Sequence, residues 1–541
     1  MSGESKRPPN GSTELEVPFG AGSYSRRDVL RRGALASASL GGLSLLGPSA
    51  ASAREYAPAG TGGTIRLGIE SSTNIIEPFS LNTDGALICA QQVLEPLVWA
   101  NADLIPRPLL ATSFAPVNND LSHWRFTLRQ GVKYNNGASF TSADVVSWMD
   151  TLLATGSVSN AATLTGSVLT KGNTKAVDPY TVDFMLERAV AQFPLFVSNY
   201  VPETGIPPQT YKVGTFAKSP VGTGPFMLKQ FVPYTGSTLV RNPNYWQTGL
   251  PHLDGVSIRD LSLPAQVIAM EAGDLDLMPQ APLVASGVLR NNSKFAFTFA
   301  ESAAYRELSM RVDKKPFTDP RVREAVALCI DRPSLITGLL DGEGQLGNDH
   351  ILAPIYGYNV KLPQRKQDYQ KARQLLEAAG YANGFTVQLT AQDDEEIPEY
   401  IAIVQQQVGA IGITLELQIE EAAQFYGTSG KPAPWLDNIM VCSPWNSRAT
   451  QGLQVWFQGG NAFNAPHWNN PQFTKLQLQL EGTLEAAAAH TLAQEMATIM
   501  YNDVPAIIAY WVDLPRVRSV KVHGLPLTST VHVDLRRVTL S

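Results

Sequence analysis

Few residues of this chain have the types and spacing that catalysis or metal binding requires. Its cysteines, Cys89, Cys329 and Cys442, are far apart and form no C-x-x-C pair, which excludes a disulfide framework and favours three reduced thiols over one bridge. The seven histidines show no H-E-x-x-H or other paired spacing for zinc. No G-x-S-x-G turn and no G-x-x-x-x-G-K-[ST] phosphate loop occurs. We therefore expect no catalytic residue, no metal and no cofactor, although a triad assembled only by the fold would escape a search for motifs.

A run of four acids, Asp393 to Glu396, is the one dense group of carboxylates that we considered as a site. Carboxylate oxygens are the ligands that hard cations prefer. The run also stands just before a helix that we expect to begin near Pro398, where a solvated acidic turn is an ordinary arrangement. We favour the solvated turn over a cation site.

The first 53 residues have the pattern of a targeting segment. Arg26 and Arg27 precede a short apolar run, residues 33–47, and the small triplet Ala51-Ser52-Ala53 follows. A charged region, a short apolar region and an A-x-A site predict a signal peptide, here cleaved after Ala53. Ser25 to Leu30 (SRRDVL) resembles the twin-arginine export pattern. A basic N-terminal helix is the alternative, and the many Gly and Ser residues disfavour it. We expect a soluble periplasmic protein exported by the twin-arginine (Tat) machinery.

Length and composition limit the class of protein further. At ~150 residues per domain, 541 residues suggest about three domains. Hydrophobic residues make up 44% and charged residues 17%, a balance that argues against a largely disordered chain. The net charge of −6 argues against a nucleic-acid partner.

The elements that must position any site alternate irregularly between strands and helices. Apolar residues with a period of two predict strands at these positions: Ile65–Ile69, Trp124–Leu128, Leu415–Ile419 and Val531–Leu535. Capping residues and apolar residues at helical spacing predict helices within these ranges: 141–152, 319–330, 368–380, 398–412 and 492–500. The sequence therefore predicts a mixed α/β protein built of several lobes.

Nine segments, in order along the chain, resemble the motifs of one family. They are Pro106–Ser113, Trp124–Val145, Gly222–Phe226 (GTGPF), Arg241–Trp246 (RNPNYW), Pro251–Asp254, Ala272–Asp276, Phe317–Asp331, Ala378–Tyr381 and Ile411–Ile413. They resemble the family 5 extracellular solute-binding proteins of ABC transporters, the oligopeptide, dipeptide and nickel-binding group. The resemblance covers roughly residues 64–523. Most of these segments consist of residues typical of turns. They therefore identify the fold, and ligand specificity must depend on other residues.

The resemblance implies a periplasmic-binding-protein-like α/β fold of the class II type. Two lobes surround a hinge and enclose the ligand, and the first lobe carries an extra inserted subdomain. The implied division is 1–53 signal peptide; 54–92, 212–304 and 507–541 core of lobe 1; 93–211 inserted subdomain; and 305–506 lobe 2.

One position departs from the family pattern in a way that bears on the ligand. Peptide-binding members have a W-x-x-D segment whose aspartate meets the ligand's α-ammonium, and the matching segment here is Trp445-Asn446-Ser447-Arg448. A guanidinium would repel an ammonium and would pair with a carboxylate or phosphate instead. Arg448 therefore favours an acidic ligand, unless a shifted loop turns it to solvent or to a nearby acid such as Asp437.

The resemblance and the strand ends supply further candidate ligand contacts. Besides Trp445, Asn446 and Arg448, they are Ser72, Thr73 and Asn74 after the first strand, Tyr305 at the first crossing between lobes, and Tyr510 and Trp511 near the return crossing. Turn chemistry is the alternative for the first three residues, and core packing is the alternative for the aromatic ones.

The function that the resemblance implies is capture of a small ligand, a peptide or an acidic peptide-like solute, for delivery to an ABC permease. The expected protein is not an enzyme, and its expected partners are the ligand, the permease subunits and the Tat machinery, with the chain itself a monomer. The alternatives are a Tat-exported periplasmic hydrolase, or a carrier of a metal chelate or an oligosaccharide on the same fold.

Overall fold

The computed structural model describes most of the chain after the leader. The described residues are 61–70, 73–81, 83–102, 104–155, 157, 159–282, 286–427, 434–446, 457 and 464–541. The predicted signal peptide and its cleavage site lie outside this set. No helix within these ranges is long and apolar enough to cross a membrane.

The strands are numbered in chain order. They are β1 Thr64–Ile69, β2 Val98–Trp99, β3 Arg107–Pro108, β4 Ala111–Val117, β5 Asp120–Leu128, β6 Thr174–Asp178, β7 Thr181–Met185, β8 Phe226–Val232, β9 Gly236–Arg241, β10 Gly255–Asp260, β11 Leu277–Met278, β12 Phe295–Met310, β13 Gly344–Leu346, β14 Phe385–Gln392, β15 Ile413–Glu420, β16 Met440–Asn446, β17 Ala506–Ser519, β18 Val522–His523 and β19 Thr539–Leu540.

The α-helices are numbered in the same way. They are α1 Asp84–Val93, α2 Ser142–Leu152, α3 Asn160–Gly166, α4 Phe193–Phe196, α5 Leu263–Ala272, α6 Pro320–Cys329, α7 Arg332–Gly338, α8 Tyr369–Ala378, α9 Ile397–Gly409, α10 Ala422–Tyr426, α11 Pro471–Glu481 and α12 Ala486–Asp503. Short 3₁₀ turns occur at Gly287–Leu289, Pro354–Tyr356 and Pro434–Asp437.

Two long strands connect the halves of the largest sheet. The order of its main path is β15-β14-β16-β12-β17-β11-β1-β10-β9-β8, and β13 pairs with β17 beside that path. β12 has 16 residues and β17 has 14, long enough to serve both halves. We call the half built on β1 and β8–β11 the first lobe and the half built on β14–β16 the second lobe. A separate antiparallel sheet of order β4-β5-β7-β6 has its own core around Trp124, Phe126 and Trp148.

Local sequence explains where several helices begin. Thr141 precedes α2, and its backbone N–H donates to the Asp144 carboxylate over 2.8 Å, as in a capping box. Asp319 accepts a hydrogen bond from the N–H of Arg321 at the start of α6, and Asp368 accepts one from Lys371 in α8. The predicted helix beginning near Pro398 is α9, which begins at Ile397 and ends at Gly409 rather than at Gly412.

The predicted strand at Val531–Leu535 is wrong. These residues are buried but form no strand, because side chains rather than a neighbouring strand satisfy their backbone. The Arg516 guanidinium donates to the carbonyl oxygens of Thr530 and His532 over 3.3 and 3.2 Å. Gln92 donates to the carbonyl of Val533 over 3.0 Å. The apolar residues Val531, Val533 and Leu535 alternate with polar ones as in a strand, although the segment is irregular.

Candidate ligand-binding site

The two long strands become irregular where they pass between the lobes. The register of β12 against β17 shifts between Ala300 and Ala304, and again between Tyr305 and Glu307. Ser302, within the first irregularity, donates its hydroxyl to the carbonyl oxygen of Val512 over 2.6 Å. Such bulges bend a strand and redirect its side chains, so this part of β12 and β17 is suited to carry a site between lobes.

Three of the predicted contact residues lie side by side at this point. The register places Tyr305 of β12 opposite Trp445 of β16 on one side and opposite Trp511 of β17 on the other. The Tyr305 and Trp511 rings meet edge to face with centroids 5.2 Å apart. We call Trp445, Tyr305 and Trp511 the aromatic row. All three side chains are buried, and burial raises the pKa of Tyr305 well above its usual value.

The aromatic row belongs to a buried cluster that also includes side chains from the segment between β2 and β8. Trp445 packs against Trp435, with ring centroids 5.7 Å apart. The same buried cluster includes Leu104 and Tyr200, which come from the segment between β2 and β8. Small-molecule sites are usually lined by apolar side chains and often lie between two parts of a protein. This cluster has both properties.

Side chains alternate between the two faces of β17, so Tyr510 and Trp511 lie on opposite faces. Its hydroxyl donates to Glu396 over 3.1 Å, and its ring meets Tyr400 edge to face at 5.2 Å. Both rings belong to the core on the opposite face of the sheet. The structure therefore does not bring Tyr510 to the aromatic row.

The predicted contacts after β1 have different environments. Thr73 is buried, its hydroxyl lies 2.9 Å from that of Thr83, which caps α1, and its N–H donates to Asp260 over 3.3 Å. Its contacts here are those of a turn residue. Asn74 is exposed.

The remaining predicted contacts lie partly or wholly beyond the described structure. Asn446 ends β16, opposite Ala304. Ser72 and Arg448 lie outside the described residues.

The acidic run is not a fully solvated turn. Asp393 is exposed, but Glu396 is buried and accepts a hydrogen bond from Nε of the buried Arg306 over 2.8 Å, and Glu395 also pairs with Arg306. The run therefore neutralises a buried cation on β12. The expectation of a solvated turn holds for the exposed Asp393 and is wrong for the buried Glu396, because the sequence did not reveal that Arg306 faces this turn. The described ranges contain no group of three or more His, Cys, Asp or Glu residues arranged to hold a metal ion.

The acidic run also lies beside the first lobe. The charge of Asp394 contributes to raising the pKa of Asp84, at the start of α1, to about 6, after the larger effect of burial. Glu70, which follows β1, adds to the negative charge that Asp394 experiences. Acids of both lobes therefore face each other near the carboxyl ends of β1 and β14, the end of parallel strands where ligands commonly bind.

Glu307, two residues along β12 from Tyr305, was not among the predicted contacts. It is fully buried, and burial raises its pKa to about 7. The sequence did carry a signal for this residue. Glu307 is two residues from Tyr305, a candidate contact on a segment predicted to cross between lobes, and residues two apart in a strand lie on one face.

Comparison with known proteins identifies the family. Residues 106–464 match the family described as bacterial extracellular solute-binding proteins, family 5 Middle. The chain belongs to this family. Its members are binding proteins rather than enzymes, so the chain is a solute-binding receptor and the resemblance seen in its motifs is confirmed.

Relatives and solved structures agree with this assignment. The glutathione-binding protein GsiB of Salmonella paratyphi A is 26% identical over 481 residues, covering 87% of this chain and 92% of GsiB. The periplasmic binding protein DppA of Helicobacter pylori, solved with the peptide STSA, superposes with a TM-score of 0.74 at 22% identity, over 89% of this chain and 98% of DppA. The oligopeptide-binding protein AppA of Bacillus subtilis, solved with a nonapeptide, gives a TM-score of 0.73 at 19% identity, over 90% and 100% of the two chains. These likenesses confirm the two-lobed periplasmic-binding-protein fold.

Proposed function

We propose that this receptor captures a peptide or an acidic peptide-like solute between its lobes and delivers it to a cognate ABC permease. The observation that carries the proposal is the aromatic row, because it lies where β12 and β17 cross between lobes and continues into a cluster that both parts of the molecule share. The curated relatives named as glutathione-binding proteins support a peptide-like ligand, since glutathione is a modified tripeptide with two carboxylates.

Binding in such a site works by closure. Two strands connect the lobes, so a rotation about them brings two walls together without unfolding either lobe. Burial of most of the ligand surface supplies the affinity, and a few polar groups then select among ligands of similar size. The proposed division into lobe 1 core (54–92, 212–304 and 507–541), inserted subdomain (93–211) and lobe 2 (305–506) places this rotation at the segments around residues 304 and 507.

Arg448 is the residue that we propose to select for an acidic ligand. It stands where peptide-binding members carry an acid, and its guanidinium would form a forked pair with a ligand carboxylate. Replacement with alanine would leave that carboxylate buried and unpaired. The expected cost is ~2–5 kcal/mol, which is roughly 30-fold to several-thousand-fold in affinity.

The proposed function is tested by calorimetric titration and thermal unfolding of residues 54–541 with glutathione and with di- and tripeptides. We expect one ligand per chain, a melting temperature that rises with ligand concentration, and a smaller radius of gyration in X-ray scattering. Turnover of the bound solute would contradict the receptor function and favour the hydrolase alternative.

The selectivity of Arg448 is tested with the same ligands. Arg448→Lys should recover only part of the affinity that Arg448→Ala loses, since an ammonium cannot form the fork. Binding by Arg448→Ala within about threefold of the unmodified chain, under ~0.7 kcal/mol, would show that Arg448 does not contact the ligand. The acidic-ligand proposal would then be withdrawn, whereas the receptor function would stand.

A further inference from the structure

A row of four polar side chains crosses the second-lobe sheet beside the aromatic row. Glu420 of β15 pairs in register with Gln392 of β14. The β14–β16 ladder reaches Ala391 and Cys442, so the next step brings Gln392 level with Ser443. Ser443 of β16 lies directly opposite Glu307 of β12. We call Glu420, Gln392, Ser443 and Glu307 the polar row.

The polar row faces the same way as the aromatic row. Ser443 and Glu307 are each two residues along their strands from Trp445 and Tyr305, and alternation puts residues two apart on one face. Cys442, adjacent to Ser443 on β16, belongs to the core of the opposite face. With strands ~4.8 Å apart, the row is about 14 Å long, and its Ser443–Glu307 end adjoins the aromatic row.

Every member of the polar row is buried, and two of them carry polar atoms with no hydrogen bond. The exposed fraction is 1% for Ser443 and Glu307, 2% for Gln392 and 6% for Glu420. Ser443 Oγ and Glu420 Oε2 are buried and have no hydrogen-bond partner among the described residues. Buried polar atoms are seldom left unsatisfied, because each one costs free energy that a partner would recover. The unpartnered Ser443 Oγ, directly opposite Glu307, points to a group that binds at this end of the row.

The chemistry of the row favours a hydrogen-bond donor. Glu307 accepts hydrogen bonds from the hydroxyls of Tyr305 and Ser309, and Gln392 Oε1 accepts one from Tyr426 over 2.6 Å. A carboxylate has room for about four hydrogen bonds, so Glu307 retains acceptor capacity. The adjacent Arg306 on β12 points to the other face, where Glu395 and Glu396 bind it, and therefore does not neutralise Glu307.

We infer that the polar row is the subsite for a primary amine of the ligand, whose ammonium N–H groups donate to Glu307 and to Ser443 Oγ. This inference rests on the proposed receptor function. Glu420, two or more strands away, adds negative potential without touching the ammonium. Burial raises the pKa of Glu307 to about 7, although hydrogen bonds from Ser309 and Tyr305 oppose this increase, and a bound cation favours its ionised form. The subsite would select a ligand that carries a primary amine.

The test measures the affinity of residues 54–541 for two pairs of probes by calorimetric titration. The pairs are glutathione with N-acetylglutathione, and trialanine with N-acetyltrialanine, because acetylation removes the ammonium and little else. We expect the unmodified chain to bind at least one free-amine probe 30-fold or more tightly than its acetylated form. In Glu307→Gln the preference should fall below threefold. Glu416→Gln, an exposed acid on β15, is the matched control and should keep the full preference.

A second variant keeps the test valid if Glu307→Gln folds poorly. Ser443→Ala removes a buried hydroxyl that has no partner in the unliganded chain, so the melting temperature of that variant without ligand should stay the same or rise. Its affinity for the free-amine probe should fall about tenfold. A hydroxyl that only fills space would leave that affinity unchanged.

The outcomes separate this inference from the proposed function. Equal binding of free and acetylated probes by the unmodified chain, or an unchanged preference in Glu307→Gln, overturns the amine subsite and leaves the receptor standing. Failure of all four probes contradicts the peptide-like ligand and the amine subsite together.

Discussion

At the scale of residues, two neighbouring charged side chains have different roles because they lie on opposite faces of the sheet. Arg306 and Glu307 are neighbours on β12, yet Arg306 is fully paired with acids on one face, while Glu307 is buried among hydroxyl groups and apolar side chains on the other. The pairing makes Arg306 a structural residue. The lack of a cationic partner makes Glu307 sensitive to pH.

Glu307 should reduce stability as the pH rises. Burial raises its pKa to about 7, so between pH ~4.5 and 7 the folded chain holds a proton that the unfolded chain has released. Stability from this group is complete below pH ~4.5 and is lost as the pH rises to 7. Glu307→Gln should match the unmodified chain at pH 4.5 and exceed it by up to ~3 kcal/mol at pH 8. Urea unfolding at both pH values measures this, with Glu416→Gln as the control, and a pH-independent difference would contradict it.

The family resemblance located part of the candidate site. Trp445 was predicted from the match to the W-x-x-D segment, and Tyr305 and Trp511 from the implied crossings between lobes; the structure places the three side by side in one row. Tyr510 was predicted with them, but the sequence does not reveal which of two adjacent aromatic residues faces the site. Glu307 was missed, because an acid between Arg306 and Leu308 has the pattern of an ordinary exposed strand residue.

At the scale of elements, the sequence predicted most of the helices that carry a local signal. Asp319 and Asp368 cap helices as expected because their hydrogen bonds join residues two or three apart. The strand prediction for Val531–Leu535 was wrong because the segment is held by side chains outside it, those of Arg516 and of the distant Gln92. Sequence patterns predict elements whose hydrogen bonds join nearby residues. They fail where side chains from outside the segment, rather than a neighbouring strand, bond to its backbone.

Arg516 should therefore be essential to the C-terminal segment. It is buried, burial lowers its pKa to about 10, and it donates to the carbonyl oxygens of Pro526, Thr530 and His532. Arg516→Met should destabilise the chain by about 3–5 kcal/mol, since it leaves several buried carbonyls without a donor.

The neighbouring arginine on the same face of β17 provides the control for this prediction. Arg518 is only partly buried and donates to the carbonyl of Val522 over 2.6 Å. Arg518→Met should cost about 1 kcal/mol. Chemical denaturation measures both variants, and equal costs would show that burial of Arg516 is not the cause.

At the scale of the whole molecule, export should determine where the receptor folds. We propose that the leader uses the twin-arginine route, that cleavage follows Ala53, and that the mature chain is a soluble monomer. Replacing Arg26 and Arg27 with Lys should retain the precursor in the cytoplasm, because that route requires the arginine pair. Fractionation with detection of the mature chain measures this. Efficient appearance of a chain beginning at Arg54 from the variant would indicate the general secretory route instead.

The stability of the contact between the lobes should also depend on pH. Asp84, partly buried at the start of α1, faces Asp394 in the turn between β14 and α9, and burial together with that charge raises the pKa of Asp84 to about 6. Asp394 itself lies near Glu70, Asp393 and Glu396, with Arg306 as the opposing cation. Because the raised pKa stabilises the protonated folded chain, the contribution of Asp84 is present below pH ~4 and is lost as the pH rises through 6.

Neutralising Asp84 should therefore favour contact between the lobes at high pH. Asp84→Asn should equal the unmodified chain in stability at pH 3.5 and exceed it by about 1–2 kcal/mol at pH 8. The radius of gyration without ligand should also be smaller in the variant at pH 8, since like charges across the lobes repel. Glu399→Gln, an exposed acid in the first turn of α9, is the control for charge alone. If both variants gain the same stability at pH 8, then net charge is the cause, and Asp84 and Asp394 do not oppose each other across the lobes.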